Sequence, residues 1–179
     1  GFSLDGYTTS GNAVRAGQFS VIQSYWKKVN VNFVPNFVPA GKLFGGWTDG
    51  GTLQHGAFQV AMYADVGSPD PDNLKVIFQS KYIDREKTAH SSTNQNEPGL
   101  KDKIVDQGFD KGAASFDPKV RLKYYTQVQI ELNKVAPFDN LFYRPEIATE
   151  DGQVNHFVTN PTNTGNQWNT WQWTAKGQQ

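Results

Sequence analysis

The sequence of 179 residues has no cysteine and no net charge, because 17 Lys and Arg balance 17 Asp and Glu. Without cysteine there is no disulfide framework, thiolate metal site or cysteine nucleophile. Charge balance provides no long-range field that would attract nucleic acid or anionic lipid. No apolar run approaches the roughly 20 residues of a membrane-spanning helix, and nothing near Gly1 resembles a signal peptide. We therefore expect a soluble chain of about one domain, whose start at Gly1 is typical of a processed or excised piece.

Aromatic residues make up for a low content of aliphatic ones. Hydrophobic residues are 37% of the chain, but aromatic residues reach 13%, with 12 Phe, 7 Tyr and 5 Trp. Large rings bury much apolar surface per residue. A chain of this length buries roughly 70% of its extended surface on folding, so we predict a core built largely from rings.

The first forty residues predict a strand, a helix and a second strand. Residues 2–9 mix apolar and polar side chains as strands do, and Asn12 is well placed to cap a helix. Apolar residues recur with a period near 3.6 over residues 13–29, which predicts that helix. Residues 31–34 are typical of a strand closed by Pro35 and Pro39, which cannot donate to a central ladder. Such a unit normally forms a right-handed parallel crossover.

The remaining pattern alternates strands and helices, which predicts an α/β fold with a mixed sheet flanked by helices. Proline and the capping residue Asp117 mark the start of the longest later helix. Past Val158 the sequence has no helical or strand period. The predicted elements are a helical turn and loop at 40–52, a buried strand at 58–64, a turn at 65–73, a short helix at 74–79, a polar loop at 81–97, helices at 98–111 and 118–135, and short strands at 141–143 and 147–148.

Motifs for catalysis or metal binding are weak. The three histidines, His55, His90 and His156, are far apart in sequence and do not form a metal-binding motif. The glycine-rich segment 45–52 lacks the Gly-Lys-Ser/Thr of a phosphate loop. Asp70 and Asp72 have the residue type of an acid and base pair, but Asp-Pro-Asp-Asn is also typical of a turn and a helix cap. We predict no catalytic residue, metal site or cofactor.

Tryptophan next to glycine, asparagine and threonine is a second pattern that can indicate a ligand-binding site. Trp47 lies among glycines, whereas Trp168, Trp171 and Trp173 lie among Asn and Thr. Such rings line ligand clefts, where a ring face stacks and its neighbours donate hydrogen bonds. The alternative is that they pack in the core, as most tryptophans do.

Eight segments, in this order, resemble the C-terminal part of an extracellular solute-binding protein of family 5, the oligopeptide and dipeptide receptors of ABC importers. They are spread over nearly the whole chain. The segments are TTSGNAVR at 8–15, VNVNF at 29–33, FQVAMY at 58–63, PDPDN at 69–73, VAP at 135–137, LFYRPE at 141–146, NPTNTG at 160–165 and WNTWQW at 168–173.

The resemblance implies the second, ligand-facing lobe of a periplasmic-binding-protein-like receptor of type II at residues 1–150. Residues 151–179 then correspond to a returning segment that packs on a first lobe absent from this chain. The implied function is capture of peptides or a related solute outside the membrane, from a precursor with a signal peptide, and delivery to ABC permease subunits. The chain itself breaks no bond, and its membrane association is through a lipid anchor of the precursor or through the permease.

The resemblance also implies a ligand site after the central strand. In peptide receptors of the family an Asp in this loop pairs with the α-amino group of the peptide. Alignment on residues 70–73 places Gly67 at that position. Either Asp65 pairs with the peptide from a shifted loop, or the ligand is one without an α-amino group, such as an oligosaccharide. The candidate ligand-binding residues are Trp47, Met62, Tyr63, Ala64, Asp65 and Asp70.

Two other classes of protein stay open. A hydrolase would use Asp70 and Asp72. A structural or interaction domain would use the Trp-rich tail as its contact surface and would bind no small ligand.

Overall fold

A computed structural model describes residues 1–84, 90–91, 93–143, 147–148, 152–160 and 165–177. The first unit is strand β1 (Phe2–Thr9), helix α1 (Ala13–Lys27) and strand β2 (Val31–Val38). Asn12 caps α1 through its side chain, which accepts a hydrogen bond from the backbone N–H of Arg15 at 3.0 Å. β1 and β2 pair in parallel over their full length. The predicted order of strand, helix and strand and the parallel pairing are therefore confirmed.

Phe33 forms the centre of the core under this sheet. Its ring lies 5.0 Å from the ring of Phe19 and 5.3 Å from that of Trp26, both edge-on. Gly6 faces the same ring, and a Cβ atom there would lie only 2.0 Å from the Phe33 ring. A side chain at position 6 would thus displace the ring, which is why β1 has glycine in its middle.

The prediction that Pro35 closes β2 was wrong, since the strand continues to Val38 and Pro35 pairs with Gly6. The strand order is β2-β1-β3. β2 thus lies at an edge of the described sheet, where a missing N–H costs no ladder hydrogen bond if it points away from the neighbour.

The buried strand predicted at 58–64 is mostly absent. After helix α2 (Ala40–Phe44) and a 3-10 turn at Trp47–Asp49, only β3 (Val60–Ala61) joins the sheet, in parallel with β1. Both of its residues are half-buried. β3 is the other edge of the described sheet, and no strand of the described residues pairs with its outer side. The three described strands of this sheet are all parallel.

The turn predicted at 65–73 leads into a 3-10 turn at Pro71–Leu74 and helix α3 (Lys75–Phe78). Helices α4 (Lys103–Ala113) and α5 (Pro118–Val135) follow as a packed pair. α5 has the predicted bounds and the predicted cap, because the Asp117 side chain accepts from the N–H of Lys119 at 2.8 Å. α4 begins later than predicted, since the Asp102 side chain caps its first turn.

The second core lies between α4 and α5. Val105 and Phe109 of α4 pack against Tyr125 and Val128 of α5, and all four are buried. The two helices approach closely at Gly108, where a Cβ atom would lie 2.4 Å from a methyl carbon of Val128. Since Phe19, Phe33 and Phe109 are the largest fully buried side chains, rings supply much of the core, as the composition predicts.

The C-terminal part contains a two-stranded antiparallel ribbon, β4 (Val154–Asn155) with β5 (Thr174–Ala175). Fully buried Asn169 links its two halves, since its amide donates to the carbonyl of His156 at 2.7 Å and its Oδ1 accepts from the indole of Trp173 at 3.0 Å. Trp171 is 72% exposed. The strands predicted at 141–143 and 147–148 are not formed. Part of the resembling segments, 144–146 and 161–164, lies outside the described residues.

Candidate functional site

The candidate site lies where the chain leaves β3 at the carboxyl end of the parallel strands. The N–H of Met62 donates to the carbonyl of Tyr7 at 2.8 Å. The carbonyl of Met62 accepts from the hydroxyl of Thr8, also at 2.8 Å. Met62 is therefore the last residue tied to β1, and the following residues turn away from the sheet. In open parallel sheets, ligands bind at this end of the strands.

Beyond Met62 the chain borders a recess of about 220 Å³. Its lining combines apolar walls with carboxylate, amide and phenol groups, which is the usual make-up of a small-molecule site. Three of the candidate residues from the sequence, Tyr63, Ala64 and Asp65, are among them. The lining residues are Phe44, Leu53, Gln54, Tyr63, Ala64, Asp65, Ile77, Gln95 and Glu97.

Tyr63 is the central side chain of the recess. Its hydroxyl donates a long hydrogen bond of 3.5 Å to a carboxylate oxygen of Glu97. Its ring packs edge-on against Phe44 at 5.7 Å and Phe138 at 6.3 Å. Burial raises the pKa of Tyr63, and the negative charges of Glu97 and Asp65 raise it further. The phenol is therefore a neutral donor at physiological pH, held between aromatic rings and two carboxylates.

Asp65 lies at the start of an exposed loop. One of its carboxylate oxygens accepts from the N–H of Val66 at 2.8 Å. Gly67 is exposed, and a side chain there would meet open space. Asp65 is thus the acidic residue of this loop that borders the recess.

Trp47 has a different environment from the one suggested by the sequence. Its indole is stacked between two imidazoles, that of His55 at 3.9 Å and that of His90 at 4.3 Å. His90 Nδ1 also contacts a carboxylate oxygen of buried Asp84 at 2.5 Å. Both ring faces are covered in this structure, so a ligand would have to displace an imidazole to stack on Trp47.

Asp70 and Asp72 are engaged in contacts that stabilise the fold. The Asp70 carboxylate caps the 3-10 turn by accepting from the N–H of Asp72 at 2.9 Å, and it pairs with Arg121 at 2.7 Å. Asp72 pairs with Lys75 at 2.6 Å and accepts from the hydroxyl of Tyr125 at 3.3 Å. The two carboxylates thus pair with two different cations, Asp72 with Lys75 on α3 and Asp70 with Arg121 on α5.

Glu97, Gln95 and Phe44 also line the recess, but they are not among the residues predicted from the sequence. Glu97 and Gln95 lie in the stretch 81–97, which has no period and no motif, so no local signal marks them. Phe44 ends the short helix α2, and its exposed ring is brought to Tyr63 only by the fold. Among the described residues, no group of three or more His, Cys, Asp or Glu could hold a metal ion.

Solved structures with similar folds include oligopeptide-binding proteins. The oligopeptide-binding protein AppA of Bacillus subtilis, solved with a nonapeptide, matches 97% of this chain and 32% of its own, with a TM-score of 0.72 and 20% identity. The oligopeptide-binding protein of Thermus thermophilus, solved with a pentapeptide, matches 97% of this chain and 30% of its own, with a TM-score of 0.71 and 20% identity. The chain is an α/β domain whose fold matches part of these periplasmic-binding-protein-like structures.

A third neighbour with this fold binds a metal complex. NikZ from Campylobacter jejuni, solved with Ni(L-His), matches 96% of this chain and 33% of its own, with a TM-score of 0.65 and 17% identity. The chain thus spans about a third of the length of these periplasmic-binding-protein-like structures. No protein-family model matches the sequence, and no curated protein matches it either. Within the described part of the chain, no helix is long and apolar enough to cross a membrane.

Proposed function

We propose that this chain is the ligand-facing C-terminal lobe of an oligopeptide-binding subunit of an ABC importer. The proposal takes residues 1–150 as the lobe and residues 151–179 as a segment that packs on a first lobe outside this chain. Two findings support it: the similar structures are about three times as long, and two of them hold peptides. The exposed ring of Trp171 in the C-terminal segment is suited to such an interface.

The observation that carries the proposal is the position of Asp65 at the rim of the recess. A peptide enters such a site with an α-ammonium group, and a partly desolvated ammonium group needs a carboxylate partner. Asp65 offers that carboxylate beside the neutral phenol of Tyr63 and the apolar side chains of Leu53 and Ile77. A neutral oligosaccharide has no group that requires this acid, so the peptide is favoured over the sugar.

The mechanism that follows is capture by closure. This lobe supplies one wall of the cleft, and the first lobe closes over the ligand by a hinge motion. Closure buries most of the ligand, whereas half a cleft binds weakly. On the outer side of the cytoplasmic membrane, the complex then delivers the peptide to a permease. The protein is held there by a lipid anchor of its precursor or by the permease itself.

A hydrolase is not favoured, because Asp70 and Asp72 are each paired with a cation. A general base and acid must both reach the reacting atoms, but these carboxylates contact Arg121 and Lys75. Two of the solved neighbours described above are oligopeptide-binding proteins by name, and the third was solved with Ni(L-His).

The test is calorimetric titration of the full-length protein with a pool of tri- to pentapeptides, beside a pool of cello- and xylo-oligosaccharides. We expect heat of binding from peptides only. Asp65→Asn should weaken peptide binding at least tenfold, because loss of one partner of a desolvated charge pair costs about 2 kcal/mol or more.

The matched control is Asp5→Asn, which changes an exposed carboxylate in β1 that lies 3.4 Å from the Asn36 amide. It should leave affinity unchanged. Binding of oligosaccharides alone, or peptide affinity unaffected by Asp65→Asn, would contradict the proposed function.

A further inference from the structure

Basic side chains collect at the tip of the α4–α5 hairpin, although the chain as a whole carries no net charge. This hairpin tip, residues 111–123, contains four basic residues and one acid. Arg121 is used in an ion pair within the fold. Lys111, Lys119 and Lys123 are exposed, and no carboxylate of the described residues pairs with them. Three lysines are therefore left for a partner outside this chain.

The acids of the hairpin are all engaged in contacts that hold the fold together. Asp102 and Asp117 cap the first turns of α4 and α5. Asp106 and Asp110 accept hydrogen bonds from residues that precede α4, and Glu131 pairs with a lysine of its own helix. Since these carboxylates do not neutralise the lysines of the hairpin tip, the charge-complementary partner of the tip is anionic.

Two large apolar side chains project beside these lysines. Phe116, in the turn between the helices, is 101% exposed, and Leu122 is 69% exposed. Leu122 follows Lys119 by three residues and so lies on the same face of α5. A protein partner would need a pocket shaped for the ring of Phe116, whereas the interface of a bilayer accepts such a ring without one. Exposed rings among lysines therefore favour a lipid surface over a protein.

We propose that the hairpin tip docks on the surface of an anionic bilayer. Phe116 and Leu122 enter the boundary of the acyl chains, and the ammonium groups of Lys111, Lys119 and Lys123 reach the phosphates of the headgroups on their long stems. Each lysine near such a surface raises affinity about fivefold, so the contact is weak and reversible. It does not depend on which ligand the recess binds.

The experiment measures cosedimentation of the full-length protein, made without a lipid modification, with vesicles of phosphatidylglycerol and phosphatidylcholine in equal parts. Vesicles of phosphatidylcholine alone are the reference. We expect binding to the anionic vesicles to be about tenfold tighter or more. This difference should disappear in about 1 M salt, where the screening length falls to about 3 Å.

Substitutions separate the charge from the ring. The double variant Lys119→Gln, Lys123→Gln should bind the anionic vesicles about tenfold more weakly or worse, because two cations are lost. Phe116→Ala should also weaken binding. Phe116→Trp should bind at least as tightly as the unmodified protein, because tryptophan prefers the membrane interface. The matched control, Lys27→Gln with Lys28→Gln, removes two exposed lysines at the end of α1 and should leave binding unchanged.

Three results would contradict the proposal. Equal binding to both kinds of vesicle would exclude an anionic lipid surface as the partner. The same loss in the control as in the hairpin-tip variant would mean that the position of the lysines is irrelevant. Binding only to vesicles that contain permease subunits would assign the hairpin tip to a protein partner. Since no peptide is present, failure of the peptide titration would leave this inference in place.

Discussion

The loop after β3 carries acids at both of its ends, and the two ends have opposite environments. At the far end, Asp70 and Asp72 are bound to Arg121 and Lys75 at 2.7 and 2.6 Å. At the near end, Asp65 accepts from a backbone N–H of its own loop and borders the recess. Acids that are neutralised by protein cations stabilise the fold, whereas an acid at a cavity rim is suited to a charge brought by a ligand.

This comparison can be tested by substituting the acidic residues one at a time. If the comparison is correct, substitutions of Asp70 or Asp72 lower stability and leave ligand affinity unchanged. Substitution of Asp65 lowers ligand affinity and leaves stability unchanged. Local stability is best followed by hydrogen exchange in the full-length protein, because the exchange of single amides reports on one region of the fold at a time.

The largest effect on stability is expected for Asp72→Ala. This change removes the acceptor of the hydroxyl of buried Tyr125 and the partner of Lys75, and a polar group left without its partner costs about 1–2 kcal/mol. Amides of α5 around Tyr125 should lose protection by that amount. Asp65→Ala is the control and should leave the same amides unchanged. Loss of peptide affinity in Asp72→Ala would contradict the conclusion that this acid only stabilises the fold.

A smaller effect is expected at Asp70, where two substitutions separate the cap from the ion pair. Asp70→Ala removes both and should cost about 1 kcal/mol in the protection of the 3-10 turn at Pro71–Leu74. Asp70→Asn keeps the cap and loses only the pairing with Arg121, so we expect about 0.5 kcal/mol or less. High salt should abolish the effect of the Asn variant. Equal losses in the two variants would mean that the cap contributes nothing.

A further effect on stability is expected at alkaline pH and concerns Tyr63. Burial and the charges of Glu97 and Asp65 raise the pKa of Tyr63 above its ordinary value of 10.0. The folded protein therefore keeps this proton when the unfolded chain loses it. The resulting stabilisation is complete below about pH 10 and decreases as the pH rises above that value.

Tyr63→Phe should remove this decrease. Unfolding midpoints in urea, measured between about pH 9 and about pH 11 on either side of the ordinary tyrosine pKa, should fall more in the unmodified protein than in the variant. Tyr143→Phe changes a phenol that is 99% exposed and should follow the unmodified protein. Parallel behaviour of Tyr63→Phe and the unmodified protein would exclude a buried, acid-flanked phenol at position 63.

The elements that the sequence predicted well depend on short-range signals. β1 and α5 have the predicted bounds, because hydrophobic period and side-chain caps act within one or two turns. The prediction failed where the position of an element in the sheet decides the outcome. Pro35 lies within a strand because that strand is an edge, and 58–64 is mostly not a strand because β3 pairs with β1 over two residues.

The candidate site was predicted in part. Of the candidate residues, Tyr63, Ala64 and Asp65 line the recess. Met62 is tied to β1, and Trp47 is stacked between imidazoles. Their roles as ligand contacts remain predictions. Glu97 could not be found from the sequence, since its stretch lacks a pattern.

The sequence by itself determined the order of strand, helix and strand and the caps of α1 and α5, since these depend on neighbours in the chain. Only the tertiary structure decided which acids are neutralised. Arg121 is 51 residues from Asp70, and Glu97 is 34 residues from Tyr63. Coulombic interaction depends on distance in space and on burial, and separation along the chain specifies neither.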